Sequence, residues 1–264
     1  MNFTVLGASG MIGRHLVSAL QRRGERVFAP VRGDDTVFTR ALGHVIYAIG
    51  LTADFRNRPY DTVEAHVSYL SQVLQRSRFD SLLYLSSTRV YAGADSTKED
   101  TPLRVQPDNP SDLYNLSKLM GESLCHASSR EGVRVARLSN VVGDDDPDSE
   151  NFVSVLLREA RTGHIVLRTA LSSAKDYIHI DDAVEILLRI ATSGCERVYN
   201  VASGRQTTNA EWGERLGEAT GCTLEVAAEA VEYSFAPIDI TRLRTEFGFV
   251  AKPAIDTVVR IPGV

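Results

Sequence analysis

Apolar residues along the first part of the chain alternate between short continuous runs and stretches with helical spacing. Residues 3–6 form one run, and after a glycine-rich turn apolar residues recur at positions 12, 16, 17 and 20. The next run covers residues 27–31. Continuous runs of this length are typical of buried strands, and recurrence every three or four residues is typical of an amphipathic helix. The pattern predicts a strand, a helix and a second strand, which together make a β-α-β unit.

The alternation continues through the middle of the chain. It predicts strands at residues 45–49, 82–85, 133–138 and 198–201 and helices around residues 62–77, 112–130, 150–162 and 181–193. Strands that read as unbroken apolar runs between helices indicate a parallel sheet covered on both faces. We therefore predict an α/β fold with a Rossmann-type doubly wound parallel sheet and a small C-terminal α/β substrate lobe.

The lobe is predicted from a less regular pattern in the second half of the chain. Short strands are expected at residues 165–167 and 176–180, and helices near residues 209–219 and 239–247. Residues 1–145 would form mainly the dinucleotide-binding domain and residues 146–264 mainly the lobe, with residues 176–202 returning to the sheet. A lobe packed over the carboxyl edge of the sheet would lie beside the crevice in which ligands of this fold class bind.

Composition and charge narrow the function classes. The 264 residues carry 29 Lys and Arg against 34 Asp and Glu, a net charge of −5 without a basic block, so we expect no nucleic-acid partner. No apolar run approaches the ~18 residues of a membrane span, and the first residues lack a signal-peptide pattern, which favours a cytoplasmic protein. Cys125, Cys195 and Cys222 lack metal-ligand spacing, so we expect buried free thiols and no metal.

A glycine-rich turn, GASGMIG at residues 7–13, separates the first strand from the first helix. Backbone without Cβ atoms lets a pyrophosphate approach the helix N-terminus, where free N–H groups and the helix dipole favour anions. A tight strand-to-helix turn that binds nothing is the alternative. We predict that the cofactor contacts lie in this turn, at Gly7, Ser9, Gly10, Met11, Ile12 and Gly13.

The end of the second predicted strand bears on the choice between NAD and NADP. A carboxylate there would accept hydrogen bonds from the ribose 2′-hydroxyl, whereas an arginine would neutralise a 2′-phosphate. The sequence has Val31 where the acid is expected and Arg32 next to it, which favours NADP. Asp34 and Asp35 follow closely enough to keep NAD open, and Arg32 could equally be a solvated surface charge.

Tyr114 and Lys118 lie four positions apart in YNLSK, so on a helix they share one face. A phenol has a pKa of about 10, and a neighbouring cation lowers that pKa by favouring the phenolate. Upstream, Ser86, Ser87 and Thr88 end a predicted strand, where one hydroxyl could hold a substrate oxygen. A solvated helix face and simple capping hydroxyls are the alternatives.

These motifs, in this order, resemble the extended short-chain dehydrogenase/reductase family, in particular the NAD-dependent epimerase/dehydratase group that acts on nucleotide sugars. The resemblance covers nearly the whole chain, since ARLSNVVG, KDYIHIDDAVEIL, YNVASG and DITRLRTEFGF are similar to later landmarks of that group. It implies that Tyr114 transfers the proton, that Lys118 assists it and binds the nicotinamide ribose, and that Ser87 supplies the catalytic hydroxyl. It also implies that Asn140 contacts the sugar and that Ala48 and Gly50 line the cofactor.

The activity that the resemblance implies is hydride transfer at a carbinol or keto carbon, usually C4 of a sugar, by an NAD(P)-dependent epimerase or 4-ketoreductase. Two alternatives stay open: an NADPH-dependent reductase of a small non-nucleotide carbonyl compound, and a non-catalytic dinucleotide-binding sensor. Related proteins commonly dimerise through the helices that correspond to residues 62–77 and 112–130, so the resemblance implies a homodimer; the alternative is that the apolar stripe of these helices faces the protein's own sheet.

The sequence departs from the family pattern at three places. Only a short segment joins Arg32 to Gly43, where the family has a further helix and strand. Thr88 and Arg89 occupy positions that are acidic in the dehydratases of this group, which disfavours dehydration. Ala236 replaces an arginine that binds the substrate diphosphate in many members. Arg168 or Lys175 could bind the diphosphate in place of that arginine. The predicted substrate contacts are Thr88, Asn140 and Arg168.

Three further residues are interpreted as structural. His66 precedes a core-facing helical run and is expected to be packed or to cap the helix. Trp212 is expected to pack inside the lobe. Near His179, either Asp181 or Asp182 is expected to be the N-cap of a helix.

Overall fold

A six-stranded parallel sheet forms the centre of the computed structural model, which describes residues 1–52, 54–143, 149–233 and 235–258. From one edge to the other the strands are β2 (Arg26–Phe28), β1 (Asn2–Leu6), β3 (His44–Tyr47), β4 (Ser81–Ser87), β5 (Val133–Leu138) and β9 (Val198–Val201), and every neighbouring pair is parallel. The predicted parallel sheet is therefore confirmed. The predicted domain boundary between residues 145 and 146 lies outside the described residues.

Both faces of the sheet are buried, which explains the unbroken apolar runs. Leu83 and Leu85 of β4 belong to a core that also contains residues of helices α1 (Met11–Arg22) and α6 (Ile180–Ser193). Leu82 and Tyr84 point to the other face, whose core includes residues of helices α3 (Tyr69–Arg76) and α4 (Asp112–Ala127). Because side chains alternate along a strand, a strand buried on both sides needs apolar residues at every position.

Helix α3 continues from helix α2 (Pro59–Val63) through one wider, π-helical turn at Glu64–Ser68. The three segments occupy the region predicted as one helix at residues 62–77. Helices α2 and α3 and the π-helical turn all contact α4. The widened turn carries His66, so it places an imidazole against the middle of α4.

The edge of the sheet at β2 is reduced. We predicted a strand over residues 27–31, but β2 ends at Phe28 and Val31 is 78% exposed. The prediction was wrong because Pro30 has no N–H group with which to continue an edge ladder. Between β2 and β3 the chain forms only a short 3₁₀ helix at Asp35–Phe38, as the short segment in the sequence indicated.

The lobe contains two small sheets and its own core. Trp212 in this core is fully buried and meets Tyr177 edge-on, with ring centroids 5.4 Å apart, so the predicted packing of Trp212 is confirmed. The strands at residues 140–142, 206–208 and 223–231 were not predicted, because short or exposed strands leave no apolar run. The lobe strands are β6 (Asn140–Val142), β7 (His164–Thr169), β8 (Ala174–His179), β10 (Gln206–Thr208) and β11 (Thr223–Val231). The lobe helices are α5 (Phe152–Arg161), α7 (Asn209–Thr220) and α9 (Ala254–Val258). The helix expected near residues 239–247, α8 (Thr241–Phe247), packs instead against β9 of the central sheet, and its Leu243 belongs to the core shared with α1 and α6.

Two local predictions were wrong. Helix α6 is capped by His179, whose Nδ1 accepts a hydrogen bond of 3.3 Å from the N–H of Asp181, so neither Asp181 nor Asp182 is the N-cap. Imidazole can replace a carboxylate here because any side-chain acceptor satisfies a free N–H of the first turn. Cys195 is exposed, in contrast to the buried Cys125, because it lies in the loop between α6 and β9.

Two classes of feature were sought over the part of the chain that the structure describes. None of its helices combines the length and the apolar character that a membrane span requires. Within the same residues, no group of three or more His, Cys, Asp and Glu side chains is arranged to hold a metal ion.

Candidate active site

The glycine turn lies at the carboxyl end of β1 and packs tightly against neighbouring backbone. Gly7 has a positive φ of 89°, and a Cβ atom placed on it would lie 2.8 Å from the carbonyl group of Ala48. A Cβ atom on Gly13 would lie 2.1 Å from the carbonyl oxygen of Gly7. Side chains at either position would push the turn away from β3 or from α1. The turn therefore requires glycine at both positions.

The same turn fits the pyrophosphate of a dinucleotide. Gly10 is the N-cap of α1, no side chain caps this helix, and its first turn contains no acidic residue. Its first N–H groups therefore lack a side-chain acceptor, and the helix dipole favours an anion there. Ser9 and Gly10 are exposed, and Met11 and Ile12 are half-buried. This arrangement matches the chemistry of a phosphate-binding turn.

A second segment joins the glycine turn to the motif YNLSK. Ala48 follows β3 and packs on Gly7, and two residues later Gly50 approaches α4. A Cβ atom on Gly50 would lie 3.4 Å from Nζ of Lys118 and 3.3 Å from Nε2 of His66. The segment after β3 thus brings both predicted cofactor contacts, Ala48 and Gly50, between the glycine turn and Lys118.

Tyr114 lies in the first turn of α4, 5% exposed, with its phenol at the carboxyl end of β4. The Ser87 hydroxyl lies close enough to this phenol to lower its pKa. Ser87 ends β4 and also caps the 3₁₀ helix Thr88–Tyr91, since its Oγ accepts a hydrogen bond of 3.2 Å from the N–H of Arg89. The structure therefore brings Ser87, Tyr114 and Lys118 together, and Thr88 lies half-buried beside them.

The charge state of Tyr114 differs from the sequence-based expectation. We expected a neighbouring cation to lower its pKa, but burial raises the pKa above its usual value, and the Ser87 hydroxyl and the Arg89 charge only partly offset that rise. Lys118 Nζ lies 5.9 Å from the centre of the Tyr114 ring and donates its hydrogen bond to the carbonyl oxygen of Leu85, at 2.8 Å. The phenol is therefore protonated in the ligand-free protein.

Lys118 is almost completely buried, 4% exposed. Burial lowers its pKa to about 7, and the nearby carboxylate of Glu122 works in the opposite direction. An ammonium group without bulk water is destabilised relative to the neutral amine. The amine therefore changes charge close to neutral pH.

We expect this titration to appear in the pH dependence of stability. The unfolded chain keeps Lys118 protonated up to about pH 10, so above its folded pKa the unfolded state binds the extra proton and stability rises with pH. Between pH 7 and 9 the free energy of unfolding should rise by about 2 kcal/mol relative to that of Lys118→Met. Urea unfolding of both proteins without cofactor measures the difference. A difference that stays constant over this range would contradict the prediction, and Lys98→Met, at an exposed lysine, is the matched control.

His66 is fully buried, which confirms the prediction that it is packed. Its contacts, however, lie within the candidate active site. Its Nε2 accepts a hydrogen bond of 3.2 Å from the N–H of Leu51, so its proton is on Nδ1. Nδ1 donates to Ser117 Oγ at 2.8 Å, and this hydroxyl donates to the carbonyl oxygen of Tyr114, also at 2.8 Å. The ring also stands edge-on to Tyr114, with centroids 5.4 Å apart. His66 therefore fixes Tyr114 against the segment after β3.

His66 itself does not exchange protons at neutral pH. Burial, reinforced by the charge of Lys118, lowers its pKa to about 2. A neutral imidazole with one donor and one acceptor satisfies both Leu51 and Ser117. No pattern in the sequence indicated this role, because His66 and Tyr114 are brought together only by packing between the π-helical turn and α4.

Arg89 and Phe55 are further site residues that sequence reasoning did not place there. The Phe55 and Tyr114 ring centroids are 5.4 Å apart, and Phe55 is 1% exposed. The Arg89 guanidinium lies 5.1 Å from the Phe55 ring and 5.5 Å from the Tyr114 ring. In the sequence, Arg89 stood out only because it lies two positions after Ser87, where the dehydratases of this group have an acidic residue.

Other predicted contacts have different outcomes. Asn140 is exposed at the same edge of the sheet, where its Nδ2 donates to the carbonyl oxygen of Asp176 at 2.9 Å. The Arg168 side chain is 71% exposed and approaches Glu159 at 3.4 Å, in the lobe strand β7. Arg32 is exposed in the turn after β2, and Asp34 caps the following 3₁₀ helix through Thr36. The described contacts do not bring Arg168 or Arg32 to Tyr114.

A buried ion pair anchors helix α4, which carries Tyr114 and Lys118. The Arg137 guanidinium approaches the Glu122 carboxylate at 2.7 Å, and both side chains are about 5% exposed or less. Ser86 Oγ donates to Glu122 at 2.5 Å, and Arg137 also donates to the Tyr91 hydroxyl at 2.7 Å. Because Glu122 lies one turn after Lys118 on α4, this pair fixes the helix that carries YNLSK.

Comparison with known proteins gives a family match over most of the chain. A model described as the NAD dependent epimerase/dehydratase family matches residues 3–202. The dTDP-4-dehydro-6-deoxy-D-allose reductase of Streptomyces bikiniensis is 23% identical in an alignment of 297 positions, gaps included, that covers 94% of this chain and 91% of that protein. The mitochondrial NADH dehydrogenase [ubiquinone] 1 alpha subcomplex subunit 9 of Dictyostelium discoideum is 31% identical in an alignment of 234 positions that covers 81% of this chain. The match spans 61% of that subunit's length.

Among solved structures, the fold is similar to that of MoeE5 in complex with UDP-glucose and NAD. The TM-score is 0.80 at 22% identity, and the match covers 98% of this chain and 97% of that one. At this identity the similarity shows the fold, in agreement with the parallel sheet described above.

Proposed function

The chain belongs to the NAD-dependent epimerase/dehydratase family, and we propose that it catalyses hydride transfer at a carbinol or keto carbon of a nucleotide-linked sugar, as an epimerase or a 4-ketoreductase. The observation that carries this proposal is the buried Tyr114 phenol, which lies beside Ser87 and 5.9 Å from Lys118 Nζ, measured to the ring centre, at the carboxyl edge of the sheet. The dTDP-sugar reductase and the UDP-glucose complex among the similar proteins support the substrate class.

The cofactor would be held by the glycine turn and by the segment after β3. Gly7, Gly10 and Gly13 would receive the pyrophosphate, and Ala48, Gly50 and Lys118 would lie along the nicotinamide half. A bound nicotinamide supplies the hydride or accepts it. Both NAD and NADP are compatible with these contacts. The preference for NADP rests on Arg32, which is exposed, and it stays a prediction.

The protein's own side chains would handle the proton. The Ser87 hydroxyl would hold the substrate oxygen, and Tyr114 would give a proton to that oxygen or take one from it. In the ligand-free protein the phenol keeps its proton, because burial raises its pKa. Tyr114 is thus ready to protonate a carbonyl oxygen during reduction. For oxidation it must first lose the proton, and the Arg89 charge stabilises the resulting phenolate.

The experiment that tests the proposal measures hydride stoichiometry. The purified chain is incubated with NADH or NADPH and 4-keto nucleotide sugars, and with NAD and the corresponding alcohols, while nicotinamide absorbance and sugar products are followed. A ketoreductase consumes one reduced cofactor per alcohol formed, whereas an epimerase inverts the alcohol without net cofactor change. Absence of both activities, with cofactor bound, would overturn the proposal and favour the sensor.

Two finer points belong to the same proposal. A small carbonyl substrate without a diphosphate stays open, because Ala236 lacks the guanidinium and Arg168 is directed to solvent.

The homodimer also stays a prediction. The apolar residues that it would cover are the exposed Tyr60, Val63 and Met120 on helices α2 and α4.

A further inference from the structure

Two guanidinium groups converge beside Tyr114 from distant parts of the sequence, and the charge of one of them reaches a third cation, Lys175. Arg56 Nη2 donates to Ser111 Oγ at 2.9 Å, and Arg89 Nη2 approaches the Ser111 carbonyl oxygen at 3.4 Å, so the two guanidinium groups meet at one residue. Arg56 also lies 4.5 Å from the centre of the Phe55 ring. Lys175, on β8, is close enough for the Arg89 charge to lower its pKa, after the larger effect of burial.

These positive charges are not neutralised by the carboxylates that the structure describes. Within the described ranges, no Asp or Glu lies within ion-pair distance of Arg56, Arg89 or Lys175. Asp112 favours the charged form of Arg89 from a greater distance, but its carboxylate already accepts hydrogen bonds from Gln106 and Asn115.

Such a cluster destabilises the ligand-free protein. Burial and the Arg56 charge both lower the pKa of Arg89. Like charges that are partly removed from water repel one another and lose hydration. A chain with a net charge of −5 nevertheless keeps a positive region at the position of the chemistry. An anionic ligand would remove the repulsion and replace the lost hydration.

The position of Arg89 restricts which anion this is. Arg89 follows Ser87 by two residues and lies 5.5 Å from the Tyr114 ring, so an anion on its guanidinium is near the reacting oxygen. In a hexose oxidised or reduced at C4, a C6 carboxylate is two bonds from that carbon, whereas the diphosphate on C1 is across the ring. A planar guanidinium also matches the two oxygens of a carboxylate.

We propose that Arg89 and Lys175, with Arg56 at the rim, recognise a carboxylate of the substrate, so that the substrate is an acidic sugar such as a uronate. This inference rests on the proposed function, because it places the carboxylate relative to a carbon that reacts at Tyr114. It assigns to Arg89 a role in choosing between acidic and neutral sugars.

Calorimetry with matched sugars tests the proposal. The full chain, saturated with NAD or NADP, is titrated with UDP-glucuronic acid and with UDP-glucose, which differ only in the carboxylate. We expect the acidic sugar to bind roughly tenfold to hundredfold more tightly. Arg89→Gln should abolish the preference, Lys175→Gln should reduce it, and Arg89→Lys should restore part of it.

The matched control is Arg76→Gln, at an exposed arginine whose guanidinium lies 4.0 Å from the centre of the Phe38 ring on α3's side of the sheet. It removes the same kind of cation and aromatic contact and should leave the preference unchanged. Melting temperatures of all variants show whether they are folded.

Three results would overturn the inference: equal binding of the two sugars, no binding of either while cofactor binds, or an equal loss of both sugars in Arg89→Gln, which would place the diphosphate there. The proposed function is tested by a different measurement, hydride transfer, so its failure can be told apart from failure of the inference. Hydride transfer to neutral sugars without an acidic preference would leave the function intact and remove the inference. Preference for the acidic sugar in a chain that transfers no hydride would remove the proposed function and leave only the recognition of a carboxylate by Arg89.

Discussion

Replacing Tyr114 by phenylalanine is expected to lower the turnover rate by about 10²–10⁴-fold, the usual contribution of a positioned proton donor or acceptor. The substitution removes only the hydroxyl. The ring contacts with Phe55 and His66, both at centroid distances of 5.4 Å, remain available, so the fold and the crevice should be preserved. Cofactor affinity should change little, because Lys118 and the glycine turn are untouched.

The measurement is single-turnover hydride transfer for wild type and Tyr114→Phe, with cofactor binding followed in parallel. Tyr60→Phe is the control, since Tyr60 is 88% exposed on α2 and its hydroxyl is far more accessible to water. A Tyr114→Phe rate within a factor of about ten of wild type would show that another group moves the proton.

Replacing Glu122 by alanine is expected to lower the free energy of unfolding by about 3–5 kcal/mol. The change leaves the buried guanidinium of Arg137 without its carboxylate, and Ser86 loses the acceptor of its 2.5 Å hydrogen bond. An uncompensated charge in the interior is far more costly than a lost surface contact. A reduction of this size is a large fraction of a typical domain's total stability.

Chemical unfolding of the two proteins at neutral pH measures this loss. Asp95→Ala is the matched control, because it breaks the Arg104–Asp95 pair, whose side chains are 66% and 82% exposed, and should cost at most about 1 kcal/mol. Similar losses for the two variants would contradict the view that the Glu122–Arg137 pair supports α4.

The sequence determined the sheet and most of its helices because their signals are local. Strands β5 and β9 have the bounds that the apolar runs predicted, and α6 begins one residue before the predicted helix. The glycine turn was also predicted from the sequence. Its glycines mark it because neighbouring backbone lies so close to Gly7 and Gly13 that no other residue type fits there. Spacing alone placed Tyr114 and Lys118 on one helical face.

Only the tertiary structure decided the electrostatics of the site. The pKa values of Tyr114 and Lys118 follow from how far each is removed from water, which no spacing specifies. The contacts of His66 and the effect of the Arg89 charge on the pKa of Lys175 involve residues far apart in the chain. Such contacts depend on how α4, β4 and β8 are packed, and the local pattern of the sequence does not contain that information.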